Sequence, residues 1–154
     1  MRHESLLLAR AVPVLHWLLL IVAGWFLLRG HNAPGGGFIG GMVAVTASAA
    51  VALTLGVDAA RRRLPLAPAP LAASGVLLAL VAGLPAMLQG QPFLTHLWFS
   101  LELGPLRLPL STVLLFDLGV LMAVWGSLAG FVLALLPASY EAAPDKAPGR
   151  ETVQ

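Results

Sequence analysis

The chain has 154 residues, of which 58% are hydrophobic and only 10% charged, against about 25% charged in an ordinary soluble domain. A soluble fold of this size has too much surface for its volume to hide that much apolar area, so a free cytosolic enzyme, a nucleic-acid binder and a disordered chain are all excluded. The formal net charge of +2 rests on few groups, mostly short arginine clusters, and reads as membrane orientation rather than a polyanion-binding face. There is no cysteine, which removes a disulfide framework, a thiolate metal site and a cysteine nucleophile.

Four apolar stretches follow in chain order: 11–28, 38–57, 71–88 and 111–136. About 20 residues of helix cross a hydrocarbon core of about 30 Å. The second and fourth stretches meet this outright, and tilt or local thinning accommodates the shorter two. None shows the period-two alternation of a membrane barrel. The predicted fold is therefore an all-α membrane protein with four transmembrane helices. The first stretch is longer than a signal-peptide core and no small-x-small cleavage site follows it, so it is expected to stay as a span.

Orientation follows from the basic residues. Arg2, Arg10, Arg61, Arg62, Arg63, Lys146 and Arg150 flank one side, Arg29 and Arg107 the other. The excess places both termini and the second loop in the cytoplasm. The first loop, 29–37, and the third, 89–110, then face outward. Residues 1–136 form the membrane module. The segment 137–154, with Pro137, Pro144, Lys146 and Pro148, lacks apolar periodicity and reads as a disordered cytoplasmic tail. The connector 61–70 carries Pro65, Pro68 and Pro70 and cannot be helical throughout.

Membrane helices associate through close contact at small residues. In the second span Gly36, Gly40, Ala44, Ser48, Ala52 and Gly56 recur every four residues as one smooth ridge. Gly119 and Ala123, with Gly126 and Gly130, play the same part in the fourth, and Gly75, Ala79 and Gly83 in the third. Whether these ridges meet each other or a partner protein is not decided by spacing. Four such helices enclose little interior, which points to a role inside a larger assembly.

Asp117 is the only charged residue within the four predicted spans, where a charge costs about 2.5–3.5 kcal/mol at the bilayer centre. It lies about 9 Å inside the start of the fourth span at ~1.5 Å per residue, on the side of Arg29, His31 and Arg107. It is either part of a proton or cation relay or a structural group near a helix start, tied to Arg29 or His31. His16, in the cytoplasmic half of the first span, has the titration range of a proton path; the structural alternative is a hydrogen bond to a neighbouring carbonyl. His3, His31 and His96 are too scattered to define a metal site, and no cofactor is expected. Asp117 and His16 lie in opposite halves of the bilayer and cannot form one catalytic constellation, so an enzyme is not expected.

The segment Arg29-Gly-His-Asn-Ala-Pro-Gly-Gly-Gly-Phe38 is the most specific in the chain. Asn32 is a candidate N-cap and Pro34 suits a first helical turn. The glycines permit positive φ or a close backbone approach. No phosphate-binding loop pattern accompanies them. With its continuation through Gly41 (RGHNAPGGGFIGG) and with STVLLFDLGV at 111–120, this segment resembles the MnhB (MrpB) subunit of the Mrp-type multisubunit Na⁺/H⁺ antiporters. The resemblance covers about residues 5–136. It marks His31, Asn32, Pro34, Gly35, Gly36, Gly37 and Phe38 in the first outward loop, and Phe116, Asp117 and Gly119 in the fourth helix, as motif positions. It implies a multi-pass subunit of the bacterial inner (plasma) membrane. The partners it implies are the other antiporter subunits (MrpA, MrpC, MrpD, MrpE, MrpF and MrpG) and membrane lipid, with Na⁺ and H⁺ as the ions carried by the whole complex. Alternatives are a purely structural scaffold subunit of a related membrane-bound hydrogenase-type complex, or a homo-oligomeric channel.

Overall fold

The structure, a computed structural model, describes residues 2–30, 35–95, 97–103 and 106–141. Four helical segments are long and apolar enough to cross a membrane: Leu8–Arg29, Gly37–Leu55, Pro68–Leu88 and Thr112–Ser139. The all-α transmembrane architecture expected from hydropathy is present.

Helix α1 spans Arg2–Arg29 and tolerates Pro13 within it. Helix α2 spans Gly37–Leu55, and its N-cap is Gly36 at φ 94°. Helix α2 thus opens at the glycines. The reason is conformational: the left-handed φ at Gly36 is open to glycine and strained for any L side chain, and it ends the helix upstream of residue 37. The Gly36 amide donates to the Phe26 carbonyl at 2.9 Å, which ties the start of α2 back onto α1. Asn32 and Pro34 themselves, with His31 and Ala33, lie outside the described residues.

A second positive φ, at Gly56, ends α2 and turns the chain into the short α3, Val57–Arg61. After the connector, α4 runs Pro68–Val81. Pro68 and Pro70 occupy its first turn, where a missing N–H leaves nothing unsatisfied. The chain turns at Ala82 and Gly83 into α5, Leu84–Leu88. The last helix, α6, spans Thr112–Glu141 and carries Pro137 inside it. The helix thus continues a few residues past Leu136, where the tail was expected to begin; residues 142–154 lie outside the described ones.

One element goes beyond the sequence reading. Part of the third loop holds an antiparallel hairpin of β1, Trp98–Leu103, and β2, Leu106–Ser111. Its signal is present in the sequence as period-two alternation: Phe99, Leu101 and Leu103 pair in register with Leu110, Leu108 and Leu106. Short alternation on either side of Gly104-Pro105 is a strand signature, masked here by high overall hydropathy. The hairpin base is clamped to α6, since Thr112 N donates to Leu97 O at 3.1 Å and Leu97 N to Thr112 Oγ1 at 3.2 Å.

The long helices pack as a row, α1–α2–α6–α4, with α1 on α2, α2 on α6 and α6 on α4 as the extensive contacts. The core is richest at the arginine-bearing end, where Val12, Val51, Ala52, Leu71, Ala129 and Leu133 are buried together. The outer helices keep large apolar side chains exposed, among them Trp17, Ile21 and Leu28 on α1 and Val76 and Leu77 on α4. Surface of this kind is stable only against lipid or a protein neighbour.

Candidate functional site

The small-residue ridges meet one another inside the chain. A methyl group at Gly40 would sit 2.8 Å from the Ala23 carbonyl oxygen on α1 and 3.0 Å from Leu121 Cδ1 on α6. One at Gly41 would sit 2.9 Å from Val124 Cγ1. The ridge of α2, with Ala44, Ala47 and Ser48 buried along it, is thus the middle of a three-helix seam. Gly56, the last member of the four-residue repeat, is exposed and serves as a helix terminator instead. The α6 ridge meets α4: a methyl at Gly119 would fall 2.6 Å from Ala79 N, and one at Gly75 would strike the backbone at Ala123.

At the glycine-rich end this seam closes on Asp117. A methyl at Gly37 would collide with the Asp117 backbone carbonyl. The carboxylate lies in a notch between two glycines, with Oδ2 at 3.2 Å from a methyl built on Gly30 and 3.3 Å from one built on Gly36. Gly35 approaches the Phe26 carbonyl in the same manner. The structure therefore brings Gly30, Gly35, Gly36, Gly37 and Asp117 together. It separates Phe38, which points outward at 60% exposure, and Phe116, which lines a small apolar cavity of about 220 Å³ with Phe93 and Val76. The expected tie from Asp117 to Arg29 is not formed: among the described residues no ion pair joins them, and the Arg29 guanidinium stacks 4.8 Å over the Trp25 ring. His31, the other suggested partner, lies outside the described residues.

Deeper in the bundle a polar strip crosses the seam. His16 is 1% exposed, and its Nδ1 donates to the Ala47 carbonyl at 3.3 Å. Its Nε2 is buried with no hydrogen-bond partner among the described residues. One residue further along α2, Ser48 Oγ accepts from Trp125 Nε1 at 2.8 Å and donates to Ala44 O at 3.0 Å. Three helices are thus pinned at one level by His16, Ser48 and Trp125. Trp125 escaped the sequence reading, although an indole N–H in lipid needs an acceptor and Ser48 is the hydroxyl on the facing ridge.

Replacing Ser48 by Ala strands the Trp125 N–H and is expected to cost about 1–2 kcal/mol. In a thermal-denaturation cycle with Trp125→Phe, the pair should couple by about 0.6 kcal/mol, the usual scale for interhelical hydrogen bonds in lipid. Additive losses would show that the bond carries no energy. At His16, leucine is expected to be tolerated, because it fills a similar volume and removes the orphaned Nε2. Alanine leaves a cavity and should cost about 2–4 kcal/mol. Equal melting temperatures for His16→Leu and His16→Ala would refute the packing role.

A four-span bundle with a glycine-built seam, polar pins and exposed apolar outer faces is the architecture of a multi-pass membrane protein. Over residues 7–130 the chain matches the family described as a domain related to the MnhB subunit of Na⁺/H⁺ antiporter, and it belongs to that family. It is 39% identical over 126 residues to the B subunit of the Na⁺/H⁺ antiporter of Bacillus subtilis, covering 80% of this chain and 87% of that one. It is 32% identical over 138 residues to the protein of the same name in Alkalihalophilus pseudofirmus, covering 88% and 94%. Its fold matches a solved chain of the Mrp complex from Dietzia sp. DQ12-45-1b, with a TM-score of 0.71 and 32% identity. That match covers 86% of this chain but spans only 14% of that much longer chain.

Proposed function

We propose that the protein is the B subunit of a multisubunit monovalent cation/proton antiporter in the bacterial plasma membrane, exchanging Na⁺ for H⁺ only as part of the whole complex. Its likeness to two antiporter B subunits over nearly their full lengths is the observation that carries this reading. The architecture agrees. A complete proton path needs a chain of polar groups across about 30 Å, whereas Asp117 and the His16–Ser48–Trp125 level are separated by a run of Gly40, Gly41, Ala44 and Leu121 packed without polar side chains. The chain therefore moves no ion alone. It supports assembly, with both termini and the arginine-rich connector in the cytoplasm, and its Asp117–glycine notch braces the outward edge of the shared ion path. The outer faces of α1 and α4 meet neighbouring subunits or lipid.

The test is deletion of this gene and its restoration, with Na⁺-dependent collapse of the proton gradient followed in everted vesicles. Antiport should vanish on deletion and return with the intact gene. Unchanged antiport after deletion would refute the proposal, as would cation/proton exchange by the purified chain in liposomes without companions.

A further inference from the structure

A second cavity among the described residues, about 850 Å³, is not used by the site above. It opens at the arginine-bearing end, between the α3–α4 connector, the first turn of α4 and the second half of α6. Arg61 and Arg62 stand at its mouth, and Pro68, Ser127, Gly130 and Leu133 are among the residues that line it. Its size falls within the range of small-molecule sites, and its two ends differ in chemistry.

The arginines lie beyond the apolar spans Gly37–Leu55 and Pro68–Leu88, so they sit at headgroup depth, and both are exposed. The lining on α6 lies inside the apolar span Thr112–Ser139. There Gly130 hollows the surface, since only a hydrogen faces Pro68 Cβ across a gap that a methyl would close to 2.8 Å. The Ser127 hydroxyl is turned back on its own helix, donating to Ala123 O at 2.6 Å, and presents no free donor to the groove. The N-terminus of α4 adds little, because Pro68 and Pro70 remove two of its first-turn N–H groups. Recognition at the mouth is left to the guanidiniums, which suit phosphate geometry.

A cationic mouth at headgroup depth above an apolar groove matches one kind of occupant. We propose that this cavity binds an anionic phospholipid, its phosphate held by Arg61 and Arg62 and one acyl chain laid along α6 past Ser127 and Gly130. Basic pockets between membrane helices on the positively flanked side recognise anionic headgroups in this way. The inference requires that the chain spans a membrane and does not depend on antiport.

The test is photolabelling of the complete membrane assembly with phosphatidylglycerol carrying a diazirine in its acyl chain, followed by peptide mapping. Label should appear on residues 126–133 and 68–72. Unlabelled phosphatidylglycerol should compete, but neither phosphatidylcholine nor inorganic phosphate should. At about five-fold per arginine, R61Q/R62Q should weaken binding ~25-fold, while R61K/R62K should keep most of it and preserve the orientation charge. Ser127→Phe should reduce labelling by filling the groove with both arginines intact. Labelling that is equal with phosphatidylcholine and indifferent to these variants would overturn the proposal. So would labelling of the isolated chain but not of the assembly, which would assign the groove to a protein partner. Loss of antiport in the deletion strain bears on neither outcome, so the two readings fail separately.

Discussion

Gly37→Val is expected to remove the protein from the membrane assembly. The Cβ of any larger residue at position 37 lands on the Asp117 carbonyl and the backbone beside it. Helix backbone cannot rotate away as a side-chain tip can. The α2–α6 seam must open along its length, separating the contacts at Gly41 and the Ser48–Trp125 bond with it. Overpacking in a close-packed interior costs about 1–3 kcal/mol where neighbours can yield, and a backbone obstacle puts this site at or above the upper figure. The measurement is the amount of this chain recovered with the purified complex, alongside the melting temperature of what remains. Gly75→Val on the α4–α6 seam should behave alike. Gly24→Ala, where an added methyl meets nothing within 4 Å, is the control and should match the native chain. Normal recovery of Gly37→Val would mean that the seam does not hold the bundle together.

Asp117→Asn is expected to keep assembly intact and antiport near the native rate in everted vesicles. The carboxylate occupies a notch lined by Gly30 and Gly36, and an amide of the same shape fits that space. Losing the charge also removes part of an intramembrane cost of about 2.5–3.5 kcal/mol at mid-bilayer. Asp117→Phe overfills the notch and should detach the glycine segment from α6, with a loss of about 1–3 kcal/mol and poor recovery of the complex. The two variants separate shape from charge. Should Asp117→Asn assemble normally yet lose antiport, the carboxylate would be a working member of the ion path and the bracing role would be wrong.

Both expectations depend on facts the sequence carries unequally. The number of spans and their limits within a few residues are legible in it. Length and hydropathy decide whether a helix can lie in lipid, and both are properties of a segment alone. The glycine motif and Asp117 are also legible as a pair of unusual segments, but that Gly30, Gly36 and Gly37 close on Asp117 is seen only in the fold. Which glycine takes the positive φ that opens α2 is not legible, because three in a row are equally able to adopt it. The hairpin at 98–111 is hard to see because its alternation is set in a loop whose overall hydropathy hides it.

From the sequence alone come the four apolar spans, the four-residue spacing of small side chains and the single intramembrane carboxylate, because each is written in consecutive residues. Only the tertiary structure decided that the α2 ridge lies between α1 and α6 while the α6 ridge receives α4. It also decided that His16 bonds the Ala47 carbonyl, that Trp125 finds Ser48 77 positions away, and that Arg29 turns to Trp25 instead of Asp117. Small residues permit close approach without naming the helix that approaches. That choice is made by the fit of whole helix surfaces in three dimensions.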